Sequence, residues 1–277
     1  MVIEVQKDGY SQGVPAAVDH LKTFLDPMRG LKPEAYIAHI EGSTGDAYMC
    51  KSLLSDYSTV RGLLAWFEQG DIDLLRRWAL ASGKLTRAMY QQRPDGVWLT
   101  STYLMPLISN EAPLINWFAR FERPFSPGSA PATRIDNPRM DEFHHYNTLL
   151  ALSGAWEVLT PRCVNFLSDV PAKQAAHQAD SRFHIALAAG DVPSMEAALT
   201  ELVDPKLMRR RSREESGFTQ NLICTAAVVY AKIAWWHGFH VEVISPWIPE
   251  EWLPIARLKD YEDPFTFMAQ LDDPMPV

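Results

Sequence analysis

The sequence predicts an all-α fold, arranged as an array of helical hairpins in two halves and closed by an irregular C-terminal segment rich in proline and aromatic residues. Apolar residues recur three or four positions apart in most long segments, whereas strict apolar/polar alternation is scarce. The 277 residues, of which 47% are hydrophobic, can bury a sizeable core. We therefore expect a single helical domain over residues 1–277, with halves at about 1–120 and 139–240.

A glycine followed by an aspartate marks each of two predicted helical hairpins. Gly70 and Asp71 lie in the run LLAWFEQGDIDLLRRWAL, and Gly190 and Asp191 lie in HIALAAGDVPSMEAALTEL. Glycine adopts the left-handed conformation that ends a helix, and aspartate caps the helix that follows. Residues 46–91 and 172–213 are thus predicted as hairpins, and the pattern leaves open whether they are duplicated copies or share only a common turn.

The helix predicted after Gly70 is amphipathic. The polar residues Asp71, Arg76, Arg77 and Lys84 fall largely off its apolar stripe. The stripe itself, which should face the core, consists of Ile72, Leu75, Trp78, Leu85 and Met89.

A proline-rich crossover loop is predicted over residues 120–140, between the two halves. Its prolines exclude a continuous helix or a central strand. After the loop, the periodicity predicts one core-facing helix over Asp141–Leu159 and another over Phe218–His237. The loop prolines are Pro124, Pro127, Pro131 and Pro138.

The C-terminal segment, residues 241–277, differs from the rest because prolines interrupt any helix repeatedly. Val241 and Val243 predict a short strand. Large apolar side chains are costly in water, so the segment should form an ordered wrap that packs back onto the helices. The side chains expected to pack are Trp247, Ile248, Trp252, Leu253, Phe265 and Phe267.

The same segment carries most of the chain's net charge of −8, with eight acidic and two basic residues from Glu242 onward. Carboxylates steer the approach of a basic partner, and aromatic anchors hold it. We predict a partner-binding surface here, against the alternative that the aromatic residues only fill the core. Its candidate residues are Trp247, Glu250, Glu251, Asp260, Glu262 and Asp263.

His177, Asp180 and His184 form the one pattern typical of a metal site. Their spacings of three and four place all three on one side of a helix, so a metal-dependent hydrolase is an alternative function. A catalytic metal needs a further ligand, for which either His144 or His145 is a candidate. The competing interpretation, which we favour, is a pair of hydrogen-bonded histidines at the edge of the core.

No other catalytic pattern is present in the sequence. It contains no HExxH, phosphate-binding loop, dinucleotide-binding glycine pattern, nucleophile elbow or kinase signature. We therefore expect a protein that is not an enzyme and needs no cofactor or metal. The three cysteines, Cys50, Cys163 and Cys224, are too far apart to predict a disulfide framework or a metal pair, and are expected to be reduced thiols.

Charge and hydropathy exclude further classes of partner. With 26 basic and 34 acidic residues and a pI near 5.5, the chain is not expected to bind nucleic acid. The basic run KLMRRRSREE, which begins at Lys206, is interpreted as a solvated helix end. The stretch Leu222–Trp236 is too short for a membrane span, and the N-terminus lacks a secretory signal pattern, so we expect no membrane and a cytoplasmic protein.

Three stretches of the C-terminal half carry a family resemblance: DSRFHIALAAGD through MEAALTELV, RRRSREESGFTQNLI, and AAVVYAKIAWWHGFHVEVISPWIPEEWLP. They resemble the immunity protein 49 family of bacterial polymorphic-toxin systems. The resemblance implies an all-helical cytoplasmic antitoxin that binds a cognate toxin domain without catalysis. A basic toxin would be attracted by the net charge of −8. Another helical immunity family and a helical-repeat scaffold that binds cellular proteins remain alternatives.

Overall fold

The computed structural model describes residues 10–94, 99–121 and 133–271, without the side chains of residues 10–12. Helices are the only regular elements in these ranges, which contain no strand, and the all-α prediction is confirmed. The chain divides into two compact units. Unit 1 comprises Met1–Pro94, Met105–Ile115 and Ala256–Val277, and unit 2 comprises Asp95–Leu104 and Asn116–Ile255.

Unit 1 is built around the first predicted hairpin. Gly70 closes helix α3 in the left-handed conformation, with φ 66°, and the Asp71 side chain accepts a hydrogen bond from Leu74 N to cap α4. The helices are α1 (Tyr10–Phe24), α2 (Pro33–Glu41), α3 (Ala47–Gln69) and α4 (Ile72–Gln92), followed by α5 (Leu104–Ser109) and α6 (Ala112–Arg120), within which the division between the units falls.

In the core of unit 1, this hairpin packs against the C-terminal segment. Leu54, Ala81 and Leu85 of α3 and α4 are buried against side chains of the C-terminal segment, as the predicted wrap requires. Arg76 and Lys84, which fall off the apolar stripe of α4, are nevertheless buried, and a carboxylate of the C-terminal segment contacts Lys84. The C-terminal side chains in this core are Phe265, Phe267 and Met268.

Unit 2 contains the second predicted hairpin. Gly190, with φ 69°, and the Asp191 cap join α9 to α10 in the same way as the first pair. Helices α9 and α10 have 12 and 11 residues, however, against 23 and 21 for α3 and α4, so the likeness is in the turn. The helices are α7 (Asp141–Ser153), α8 (Trp156–Ser168), α9 (Gln178–Ala189), α10 (Val192–Leu202), α11 (Pro205–Arg210) and α12 (Thr225–Trp236).

Three details of unit 2 differ from the sequence predictions. The helix predicted over Asp141–Leu159 is interrupted at Gly154, whose φ of 75° ends α7. The helix predicted from Phe218 begins only at Thr225. Val241 and Val243 form no strand, because residues 239–245 run without a partner strand and the Val241 carbonyl instead accepts a hydrogen bond from Trp235 Nε1.

Residues Thr225–Ala234 of α12 are all buried. This confirms the core-facing helix predicted in this part of the chain. Within the described part of the chain, none of the helices combines the length and the apolar character needed to cross a membrane. Of the predicted crossover loop at 120–140, residues 122–132 lie outside the described residues.

Candidate functional site

A network of buried charges lies at the start of α9 in unit 2. Asp180, 1% exposed, accepts a hydrogen bond from Arg211 Nη1 at 2.9 Å and another from His177 Nδ1 at 2.8 Å. Arg211 also binds Glu214 Oε2 through Nη2 at 2.6 Å and Nε at 3.0 Å. Each charge therefore has an opposite charge in contact, which is the condition for burying charges at tolerable cost.

The environment fixes the charge state of this network. Burial alone would raise the pKa of Asp180, but the Arg211 guanidinium and the His177 hydrogen bond overcome it and hold the pKa far below its usual range. Asp180 is therefore an anion. Burial, and next to it the neighbouring His177, keeps the pKa of His144 well below the usual value, so His144 is neutral.

The structure brings together two of the three predicted metal ligands and replaces the third. His177 and Asp180 are in contact, but His184 points to Cys163, with 4.0 Å between Nδ1 and Sγ. His144 takes the third place, so that one donor atom from each of His144, His177 and Asp180 lies within 4.8 Å of the others. His144 was one of the two candidates for a further ligand, but its place beside His177 could not be predicted from spacing because it lies on α7 rather than α9.

The ring geometry of this cluster does not suit a metal ion. The His144 and His177 rings are stacked, with centroids 3.8 Å apart and planes 10° from parallel. An ion bound by imidazole lies near the ring plane at about 2.1 Å, and two nearly parallel stacked planes share no such point. The positively charged Arg211 already forms an ion pair with the Asp180 carboxylate, and its charge would repel a metal ion there. The arrangement favours the hydrogen-bonded histidines over the metal site.

A cavity of about 330 Å³ lies beside the network, lined by His177, Arg211 and Glu214 among others. The N-terminus of α12 also reaches it. There, Glu215 accepts hydrogen bonds from Thr225 N at 2.9 Å and from the Thr225 hydroxyl, so this carboxylate caps the positive end of α12. Burial raises the pKa of Glu215 above its usual range.

The basic run after Lys206 is divided by the structure. Arg209, Arg210 and Arg213 are exposed, as a solvated helix end requires, but Arg211 turns inward to Asp180. The spacing of Arg211 and Glu214 by three was a readable sign of this pair, since side chains three apart on a helical turn meet. The partner Asp180 was not readable, because it lies 31 positions away.

The first part of the C-terminal segment, Val241–Leu253, packs as an anchored loop in unit 2, and we call it the acidic loop. Three backbone carbonyls of the loop, those of Val241, Trp247 and Leu253, accept hydrogen bonds from α12 or the residue before it, Cys224. The side chains that anchor the loop, each at most 4% exposed, are Val241, Ile248, Trp252 and Leu253.

Between these anchors the acidic loop exposes a distinctive set of side chains. Ile244 is 100% exposed, the largest exposure of any large apolar side chain in the described residues. Trp247 is half-buried, while Glu250 and Glu251 are exposed. Three of the six predicted partner-binding residues, Trp247, Glu250 and Glu251, thus lie on this loop.

The other three predicted partner-binding residues lie in unit 1. Asp260 and Glu262 are exposed, but Asp263 is turned inward, with its carboxylate 2.7 Å from Lys84 Nζ. Asp263 also accepts a hydrogen bond from the Tyr261 hydroxyl at 2.8 Å. Its charge is therefore used within unit 1, and Asp263 does not belong to an exposed acidic surface.

Comparison with known proteins finds no match to a protein-family model, to a curated protein or to a solved structure. The function is therefore inferred from the geometry of the residues themselves.

Proposed function

We propose that the protein is a cytoplasmic immunity protein, an antitoxin that neutralises a cognate secreted bacterial toxin by stoichiometric binding and without catalysis. The observation that carries the proposal is the acidic loop, which holds a fully exposed Ile244 between buried anchors, next to exposed carboxylates. An isoleucine in water is unfavourable, and its burial against a partner would recover about 1.5 to 3 kcal/mol. The toxin domain is expected to present a basic surface.

Anchoring of the loop favours tight binding. A loop that must become ordered on association loses conformational entropy, which weakens the complex. Here Ile248, Trp252 and Leu253 are buried already in the free protein, and Lys232 Nζ donates to the Leu253 carbonyl at 3.1 Å. The loop therefore presents Ile244 and Trp247 in a preformed arrangement.

Electrostatics favours a basic partner. The carboxylates of Glu250 and Glu251 are exposed on the loop, and the whole chain carries a net charge of −8. Such a field accelerates association with a basic protein and weakens with salt. Toxins that act on nucleic acid are commonly basic, so this class of toxin fits the field best.

The buried charges of unit 2 support binding rather than catalysis. Arg211 donates hydrogen bonds to both Asp180 and Glu214, so the two carboxylates of the network are held in ion pairs within the protein. The metal-dependent hydrolase stays as a weaker alternative, because His144, His177 and Asp180 do cluster. It predicts one equivalent of zinc, or of another transition metal, in purified protein and loss of that metal in His177→Ala.

The test is coexpression with the polypeptide encoded immediately upstream in the genome. We expect that the pair copurifies in a 1:1 ratio and that expression of this protein restores growth of cells that produce the upstream polypeptide. Growth arrest that this protein does not relieve, with no copurification, would contradict the proposal. A helical-repeat scaffold would bind a cellular protein instead and would give no protection.

A further inference from the structure

The cavity of unit 2 offers polar groups that the protein itself does not use. His145 lines the cavity and is 9% exposed. Its Nδ1 accepts a hydrogen bond from the Thr100 backbone N–H at 3.2 Å, so the ring proton must lie on Nε2. No described group accepts a hydrogen bond from that Nε2–H. This donor is therefore left for another molecule in the cavity.

Gln174 supplies the matching acceptor. It also lines the cavity and is 7% exposed, and its Nε2 donates to the Arg139 carbonyl and to Asp141 Oδ1, each at 3.1 Å. Both of those partners are acceptors, which fixes the amide orientation and leaves Oε1 as the atom without a partner. A buried acceptor without a donor is costly, so a ligand hydroxyl at this position would be favourable.

Positive charge is in excess where the cavity opens. Lys173, Arg210 and Arg213 line it and are exposed, and none of them forms an ion pair with a described carboxylate. The acidic residues that line the cavity are already engaged, Asp141 by Gln174, Glu214 by Arg211 and Glu215 by Thr225. Exposed cations around a polar pocket are typical of anion recognition.

We propose that this cavity binds a small phosphorylated molecule that also carries hydroxyl groups, such as a sugar phosphate or a nucleotide. The phosphate binds Lys173, Arg210 and Arg213 and accepts from His145 Nε2–H, while a hydroxyl donates to Gln174 Oε1. The volume of about 330 Å³ is at the small end of ligand pockets, which limits the ligand to about one nucleotide. The acidic loop contributes no lining residue, so this site is separate from the proposed toxin contact.

The first test is calorimetric titration of the full chain, alone, with ribose 5-phosphate, AMP, inorganic pyrophosphate and ribose. We expect saturable 1:1 binding of ribose 5-phosphate or AMP, weaker binding of pyrophosphate and none of ribose. Tighter binding of AMP than of ribose 5-phosphate identifies a nucleotide, and equal binding identifies a sugar phosphate. Absence of saturable binding, or pyrophosphate bound as tightly as the sugar phosphates, would overturn the proposal.

Matched variants make the assignment specific. Arg210→Gln with Arg213→Gln should weaken binding at least tenfold. The control, Lys206→Gln with Arg209→Gln, removes the same two positive charges from exposed positions of α11 that do not line the cavity, and should change binding less than twofold. Equal weakening by the control would show a general charge effect and contradict the site. Gln174→Met should abolish the preference for ribose 5-phosphate over pyrophosphate, with far-ultraviolet circular dichroism to verify the fold.

Discussion

The two parts of the C-terminal segment use the same kinds of residue in opposite ways. In the acidic loop of unit 2, buried apolar anchors alternate with carboxylates that face solvent. In residues 256–271 of unit 1, Phe265 and Phe267 are buried in the same manner, but Asp263 faces inward and binds Lys84. The backbone carbonyls of Lys259 and Asp260 accept hydrogen bonds from Arg77 as well.

The difference teaches that acidic composition alone does not locate a binding surface. A carboxylate that meets a buried lysine holds its own unit together, whereas an exposed one contributes to the field that faces solvent. The sequence contains eight acidic residues from Glu242 onward, but it does not indicate which of them face inward and which face solvent. The acidic loop is therefore the part of the segment on which recognition of a basic protein is expected to depend.

The largest expected effect is loss of the main anchor of the acidic loop. Trp252 is 0% exposed, and Trp252→Ala should lower the free energy of unfolding by about 3 to 5 kcal/mol, because it removes a large buried side chain and leaves a cavity. Urea denaturation followed by circular dichroism measures the loss. A change below about 1 kcal/mol would show that the loop is not anchored in this way.

The corresponding contact in unit 1 is the Lys84–Asp263 pair, whose side chains are 7% and 16% exposed. Lys84→Ala should lower the free energy of unfolding by about 3 kcal/mol, because Asp263 then keeps a largely buried charge without its lysine. Urea denaturation is again the measurement. The double variant Lys84→Met with Asp263→Leu should recover most of that loss, and no recovery would mean that the charge is not its cause.

Acid should destabilise unit 2 more than unit 1. Burial lowers the pKa of His184 to about 4, so the folded state stays neutral while unfolded histidine takes up a proton below about pH 6.5. The unfolded state then binds more protons, and stability falls as the pH decreases from 6.5 towards 4. In the described part of unit 1, His20 and His39 are exposed, so unit 2 should respond more strongly.

His184→Gln isolates this effect. The slope of the free energy of unfolding against pH should decrease by about 1.4 kcal/mol per pH unit between about pH 6 and 4.5, because one proton fewer distinguishes the two states. Urea denaturation of the wild type and the variant at matched pH values gives the difference between their two slopes. Titratable groups that both proteins share contribute equally to the two slopes and do not affect this difference. An unchanged slope would contradict a neutral buried His184.

Much of the fold was readable from the sequence, because local rules determine it. The Gly70–Asp71 and Gly190–Asp191 turns and the apolar helix within Leu222–Trp236 follow from capping and periodicity. Gly154 ends a helix for the same reason, and the reading that carried the periodicity through it was wrong.

The candidate sites were less readable, because long-range packing assembles them. Lys84 meets Asp263 across 179 positions, and Arg211 meets Asp180 across 31. The spacing of His177, Asp180 and His184 predicted two members of the cluster correctly. The third member is His144, which comes from another helix, and not His184. Charge and spacing in one segment cannot reveal partners that tertiary structure supplies.

Charge reversal on the acidic loop is expected to leave stability nearly unchanged. Glu250→Lys should alter the free energy of unfolding by less than about 0.5 kcal/mol, because the side chain is exposed. It should nevertheless slow association with the upstream-encoded polypeptide at low salt, measured by surface plasmon resonance. Glu157→Lys, an exposed acidic residue on α8 of the same unit, is the control, and equal slowing by both would indicate net charge rather than a local contact.

The most direct test of the acidic loop as the docking surface is the affinity of Ile244→Arg for that polypeptide. We expect at least tenfold weaker binding than wild type, because the variant removes the exposed apolar group and opposes a basic partner. Val164→Arg, which places the same charge at a 49% exposed apolar position on α8, should bind within twofold of wild type. Full affinity in Ile244→Arg, or equal loss in both variants, would contradict the assignment.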